Sequence, residues 1–206
     1  MACRQNLQKL VRRAGIADLN MEGKFVAIKM HFGELGNISY LRPNYARAIV
    51  DVVKELGGKP FLTDCNTMYP GSRKNALEHL ECAWQNGFTP LTVGCPVIIG
   101  DGLKGTDDVD VPVEGGEYIK EAKIGRAIMD ADVFISLTHF KGHEMTGFGG
   151  AIKISVWDVV LVPVSVISIP AANRILMKNC AVAVRVVRKN VPMADWNLTK
   201  QQEKCM

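Results

Sequence analysis

Three of the four histidines in this chain stand where short apolar runs give way to polar clusters, and acidic residues accompany them. His31 lies in "KMHFGE" with Glu34, and His139 and His143 lie in "THFKGHE". Imidazole titrates near neutral pH and its neutral ring ligates metals, so proton transfer or ligand binding is the chemistry these residues offer. Three imidazoles at such positions serve no capping need. No histidine pair carries the H-E-x-x-H helical motif, which removes the zinc-protease reading, and no metal-ligand set is assigned. Asp64 and Asn66 in "TDCN" read equally as helix caps or as site residues. Asp101, between two glycines, reads as a turn residue, and His79, in the middle of "ALEHLE", as a surface residue.

The stretch "GHEMTGFGGAIK" (142–153) adds a second kind of chemistry. Gly147, Gly149 and Gly150 permit close backbone approach and exposed N–H groups, as an anion-binding turn requires. Lys153 follows and is placed to meet a phosphate or carboxylate. The spacing is neither that of a P-loop nor that of a dinucleotide fingerprint, so neither nucleotide class is supported.

The elements that must position these residues alternate. Residues 3–14 have helical apolar spacing, and "KFVAIKM" (24–30) is a β-rich run. Pro43 suits the first turn of a helix that Gly57-Gly58 stops. "KPFLTDCN" predicts the next strand, and Ser72 is a candidate cap for "RKNALEHLECAWQNG". "CPVIIGDG" predicts a third strand, "VDVPVEGGEYIKEA" a hairpin turning at Gly115-Gly116, "AKIGRAIMDA" a helix and "DVFISLTHF" a strand. This pattern predicts an α/β fold: a mostly parallel, layered sheet with flanking helices, a β-hairpin insertion and an irregular C-terminal tail. In such a sheet ligands bind beyond the carboxyl ends of the strands, where His31, Glu34, Asp64, His139 and His143 would gather.

A net charge of +4 with no dense basic block gives no ground for nucleic-acid binding. The longest apolar stretch, "VVLVPVSVISIP", is short and broken by proline, so no membrane span is expected, and no secretory signal opens the chain. The six cysteines are scattered without a C-x-x-C pair, as free thiols of a cytoplasmic protein would be.

The run from "VAIKMHFGELGNISYLRPNYARAIVDVVKELGGKPFLTDCNTMYPGSRKNALEHL" through "VIIGDGLKGTD" to "EAKIGRAIMDADVFISLTHFKGHEMTGFGGAIK" closely resembles the domain of unknown function 362 family, whose members are uncharacterised iron–sulfur-centre proteins. The likeness covers roughly residues 10–153. It implies an α/β domain over 1–153, followed in such proteins by a ferredoxin-like segment with cysteines for [4Fe–4S] clusters. It also implies a short strand before the first helix, which this chain lacks, so truncation at the N-terminus is expected. The glycine loop resembles, at the level of the motif, the lactate racemase family, in which a histidine and a lysine ten residues on help to build a nickel-pincer site. His143 and Lys153 stand ten apart here.

After Lys153 the likeness breaks. Read one base out of frame, "KISVWDVVLVPVS" permits Asn-Ile-Gly-Met-Gly-Cys-Gly-Ser-Arg-Ala-Gly-Lys, the kind of continuation the family shows. In the same frame cysteine codons are allowed beneath Ala181, Val184, Val187 and Val191, and a proline beneath Pro192. That is the C-x₂-C-x₂-C-x₃-C-P run of bacterial ferredoxins. Residues 154–206 are therefore expected to be an out-of-frame remnant of a cluster domain. Cys180 and Cys205, the two cysteines left there, cannot supply four ligands, so no cofactor is expected in this chain, while the intact relative would carry [4Fe–4S].

These observations lead to one expectation. The chain is the α/β portion of a cytoplasmic, redox-linked iron–sulfur protein that binds a small anionic ligand and exchanges electrons with it or with a partner protein. His31, His139 and His143 would transfer protons or bind the ligand, Glu34 and Asp64 would orient it or accept protons, and Lys153 with the Gly147–Gly150 turn would hold the anion. The alternatives are an isomerase of racemase type, with His139 and His143 as acid and base, and a non-catalytic binding module.

Overall fold

A computed structural model describes residues 2–68, 70–112, 121–143 and 147–150. Helix α1 (Ala2–Arg13) turns Leu7 and Val11, one helical turn apart, onto the main core. A 3-10 turn at Ile16–Leu19 leads to strand β1 (Phe25–Lys29). Helix α2 (Pro43–Glu55) begins on its proline, whose missing N–H is no loss in a first turn. Its apolar positions Ala46, Ile49, Val50 and Val53 follow the helical period and are buried, and Asp51 and Glu55 on it pair with Arg4 and Arg12 of α1. The helix ends where expected: Gly57 has φ +77°, and a Cβ there would stand 1.7 Å from the Glu22 carboxylate.

Strand β2 (Lys59–Asp64) is followed by α3 (Ala76–Gln85), the short α4 (Pro90–Val93) and β3 (Val97–Ile99). The cap of α3 is Asn75, whose side chain accepts from the amides of Leu77 and Glu78 at 3.1 and 3.0 Å, and not Ser72. The Ser72 amide instead donates to Glu34, which holds it three residues short of the helix.

Strands β4 (Asp108–Pro112) and β5 (Glu121–Gly125) form the antiparallel hairpin the sequence predicts; its turn lies outside the described residues. The helix expected over "AKIGRAIMDA" is confined to α5 (Arg126–Met129). Ala122 and Ile124 are buried at a spacing of two, the period of a strand, and Gly125 approaches the Gly100 carbonyl too closely to admit a Cβ. The last elements are β6 (Val133–Ser136), β7 (Lys141–His143) and β8 (Gly147–Gly149).

The fold is mixed α/β around a parallel four-stranded sheet of order β3-β2-β1-β6. Register runs Val26↔Pro60 between β1 and β2, Leu62↔Val97 between β2 and β3, and Val26↔Val133 between β1 and β6. Val26, Ile28 and Leu62 pack with Ile49, Val50 and Val53 of α2 in the main core. A smaller core joins Cys65 to Val111, Ala122, Ile124 and Ile128 around the hairpin. Because β2 and β6 flank β1 on opposite sides, the winding reverses at β1, and the crevice beyond its carboxyl end is the place where parallel sheets bind ligands. Among the described residues no helix is long and apolar enough to cross a membrane.

Candidate functional site at the carboxyl ends of the strands

β1 is apolar until its last residue, Lys29, and β2 ends on Asp64; past their exposed first residues, Phe25 and Lys59, both strands are buried to the end. Adjacent parallel strands set these two ends side by side, and Lys29 Nζ meets Asp64 Oδ1 at 2.7 Å with both side chains wholly buried. The same oxygen accepts the Cys65 amide at 2.9 Å. Asp64 Oδ2 faces His79 Nε2 of α3 at 3.5 Å and an Arg73 guanidinium nitrogen at 3.8 Å. Arg73 Nε in turn donates to Glu34 Oε2 at 3.0 Å, and the Ser72 amide donates to Glu34 Oε1 at 2.7 Å. The result is a continuous chain of charge, Lys29–Asp64–Arg73–Glu34, laid across the ends of β1 and β2.

Burial alone would raise the Asp64 pKa, but the Lys29 ammonium and then His79 outweigh it and hold the carboxyl well below the usual range. Glu34 is likewise lowered: mild burial opposes, and the Ser72 amide and Arg73 prevail. His31 goes the other way. Burial, aided by Arg73 and Lys29 and opposed by Asp64, lowers its pKa to about 4, so the ring is uncharged at neutral pH. Its Nδ1 accepts the Gly33 amide at 2.9 Å, which assigns the proton to Nε2. Gly33 makes this turn with φ +88°, where a Cβ would crowd the Tyr40 ring at 2.7 Å. Half-buried His31 thus offers a neutral N–H donor beside two buried cations.

A neighbouring group lies beyond β2 and β3. The Asp101 carboxylate accepts from the Asn66 backbone amide at 3.0 Å and from Asn66 Nδ2 at 3.0 Å, and burial raises its pKa to about 6 despite these donors. Thr63 Oγ1, Asn66 Oδ1 and His79 Nδ1 are buried without a hydrogen bond, and Asp64 Oδ2 and His79 Nε2 have only each other, at 3.5 Å. Buried polar atoms are ordinarily satisfied, so these polar atoms concentrated at one sheet edge make it the least typical part of the core.

The structure brings together His31, Glu34 and Asp64 of the predicted site residues. His139 is exposed in the segment after β6. His143 ends β7, opposite Gly147, while Gly149 of β8 pairs with Lys141 and Gly150 follows the strand. Lys153 lies outside the described residues. His79 is not on the surface but fully buried, edge-on to Phe32 with ring centroids 5.8 Å apart. Asp101 is not merely a turn residue; it is fully buried and anchors Asn66.

A family model, Domain of unknown function (DUF362), matches residues 26–157. The chain belongs to the DUF362 family. Over 108 residues this DUF362 protein is 31% identical to the thylakoid-associated protein sll1697 of Synechocystis sp., a match covering 50% of the chain and 28% of that relative. Its fold is similar to the lactate racemase apoprotein from Thermoanaerobacterium thermosaccharolyticum, with a TM-score of 0.57 and 15% identity over 90% of the chain and 47% of the racemase. The DUF362 chain therefore spans less than half the length of either protein it matches.

Proposed function

We propose that this chain is the ligand-binding part of a cytoplasmic, redox-linked DUF362 protein, and that it takes a small anion at the carboxyl end of β1. The observation that carries the reading is His31, a ring kept neutral beside buried cations with its Nε2–H left for a ligand. A neutral imidazole flanked by Lys29 and Arg73 donates to a carbonyl or carboxylate oxygen without presenting a full charge of its own. Asp64 and Glu34 are ionised and fix the two cations; they orient the site and do not receive protons near neutral pH.

Titration calorimetry with lactate and with inorganic phosphate tests this. One of the two should bind, and His31→Ala should weaken that binding at least tenfold, the loss of a hydrogen bond to a charged group, while the circular dichroism spectrum is unchanged. Equal affinity in wild type and variant would overturn the role of His31 and favour a non-catalytic module.

An iron–sulfur cluster does not fit the residues described. Cys65, Cys82 and Cys95 are buried free thiols, and no group of three or more His, Cys, Asp or Glu side chains that could hold a metal occurs among the described residues. In this reading the cluster, and the contact with a redox partner, belong to the sequence that follows the α/β domain in an intact relative. Anaerobic reconstitution of the 206-residue chain should give no stoichiometric iron and sulfide; stoichiometric incorporation would overturn that assignment.

A second reading, an isomerase of racemase type, is favoured by the fold match and by the ten-residue spacing of His143 and Lys153. A nickel-containing chromophore bound by an intact relative and lost in Lys153→Ala would select it over the first.

A further inference from the structure

We infer that Asn86, just past the end of α3, is a positioning residue for His31, and that it acts through the one peptide unit between Phe32 and Gly33. That unit is held from both sides. Its N–H, the Gly33 amide, donates to His31 Nδ1 at 2.9 Å. Its C=O, the Phe32 carbonyl, accepts from Asn86 Nδ2 at 3.0 Å. A trans peptide is planar with its N–H and C=O pointing opposite ways, so a fixed carbonyl fixes the direction of the amide. The two bonds also strengthen each other, because a carbonyl that accepts makes its own amide a better donor. The side chain of Asn86 therefore sets which nitrogen of the His31 ring is kept as an acceptor and which is left with its proton.

Asn86 can do this because it is itself held. Its backbone N–H donates to the Cys82 carbonyl at 3.0 Å, closing the last turn of α3, and its backbone carbonyl accepts the Tyr40 hydroxyl at 3.2 Å. The rings of Phe32 and Tyr40 both pack on Phe88, with centroids 5.3 and 5.9 Å away. A Cβ at Gly33 would stand 2.8 Å from Asn86 Nδ2, so the approach leaves room for glycine alone. Cys82 Sγ donates to the next carbonyl, that of Gly33, at 3.6 Å, and two successive peptides of the His31 turn are thus tied to one helix end. The same helix carries His79 to Asp64 nearer its start, so α3 reaches the site at two points.

Nitrogen-15 spectra of the full chain at neutral pH, with amide exchange, test this. In the wild type His31 Nδ1 should resonate as an unprotonated nitrogen and the Gly33 amide should be protected. Asn86→Ala, at a position whose negative φ (−82°) suits any residue, should shift the Nδ1 resonance and speed Gly33 exchange about tenfold, the loss of about one hydrogen bond. Asn86→Asp should do more, because a carboxylate then faces the Phe32 carbonyl. Asn75→Ala removes the cap at the other end of α3 and should leave both signals in place. Signals unmoved in the Asn86 variants, or moved as much by Asn75→Ala, would overturn the inference. Should neither Asn86 variant fold, Tyr40→Phe frees the Asn86 backbone carbonyl and should cause the same change in smaller measure; no change there counts equally against it. The part of Asn86 in ligand binding rests on the reading of His31 given above, and the two separate cleanly. Spectra that change as stated, with lactate and phosphate binding as in the wild type, would sink that reading and leave the positioning of His31 by Asn86 standing.

Discussion

Asp64→Asn is expected to destabilise this protein by about 3–5 kcal/mol, the cost of leaving a buried charge without its partner. Lys29 and Asp64 are both fully buried at 2.7 Å, and no solvent reaches either to replace the lost interaction. Lys29→Met should have a similar effect, because it strands the carboxylate with a distant Arg73 and with His79. The double variant Lys29→Met/Asp64→Leu should recover more than half of the loss. Removing both charges also removes both desolvation terms, and apolar replacements of buried ion pairs are commonly neutral or better. Urea unfolding followed by circular dichroism measures all four proteins. Strictly additive single-variant losses in the double variant would show that the pair is not a coupled unit. The same comparison bears on function. If the pair exists for stability alone, the double variant should bind a ligand as the wild type does. If it exists to hold the site around His31 in place, the double variant should be stable and fail to bind.

The parallel sheet was legible because its signals are local. Each core strand is a short apolar run bounded by glycine, proline or a polar cluster, and β1, β2, β3 and β6 lie where those runs lie. The place of the site was legible for a related reason: once strands are parallel, their carboxyl ends must share one edge. Its membership was less so. Lys29 could have been found, since a lysine that closes an otherwise apolar strand in a central position needs a counter-ion. His79 also left a trace, standing three and four residues before Cys82 and Ala83, the other buried residues of α3. The flanking glutamates Glu78 and Glu81 obscured that face. Arg73 left none, because its role arises from the path of the loop between β2 and α3, and a loop path has no period to read. The "AKIG" run misled in the familiar way of short apolar segments, which fit a helix or a strand until a partner strand decides. His139 and His143 share the carboxyl edge in sequence order, but the chain carries His139 out to solvent and His143 into a separate hairpin.

Acid should leave the stability of the wild-type protein nearly level between pH 7 and pH 4.5, because two groups of opposite sign titrate there. His31 has a folded pKa of about 4 against an ordinary 6.5. In between, the unfolded chain binds the proton that the folded chain refuses, so stability is present above pH 6.5 and is lost as the pH falls towards 4. A gap of this size is worth about 3 kcal/mol for a fully buried group, and about 2 for a half-buried ring in salt. Asp101 has a folded pKa of about 6 against an ordinary 3.8. Here the folded chain binds the proton first, so a destabilisation of similar size present above pH 6 is relieved as the pH falls. Each variant should expose the other group. Asp101→Asn should lose about 2 kcal/mol on going from pH 7 to 4.5, and His31→Gln should gain about as much, both read from urea midpoints. Parallel pH profiles for the wild type and both variants would rule the account out. Below pH 4 all three should unfold together. Asp64 and Glu34 have folded pKa values below the ordinary carboxylate range, so the stability they contribute is present above it and disappears when acid reaches them. The last group to yield is then Asp64, whose ion pair with Lys29 joins the ends of β1 and β2, and its protonation should release the sheet edge and the site at once.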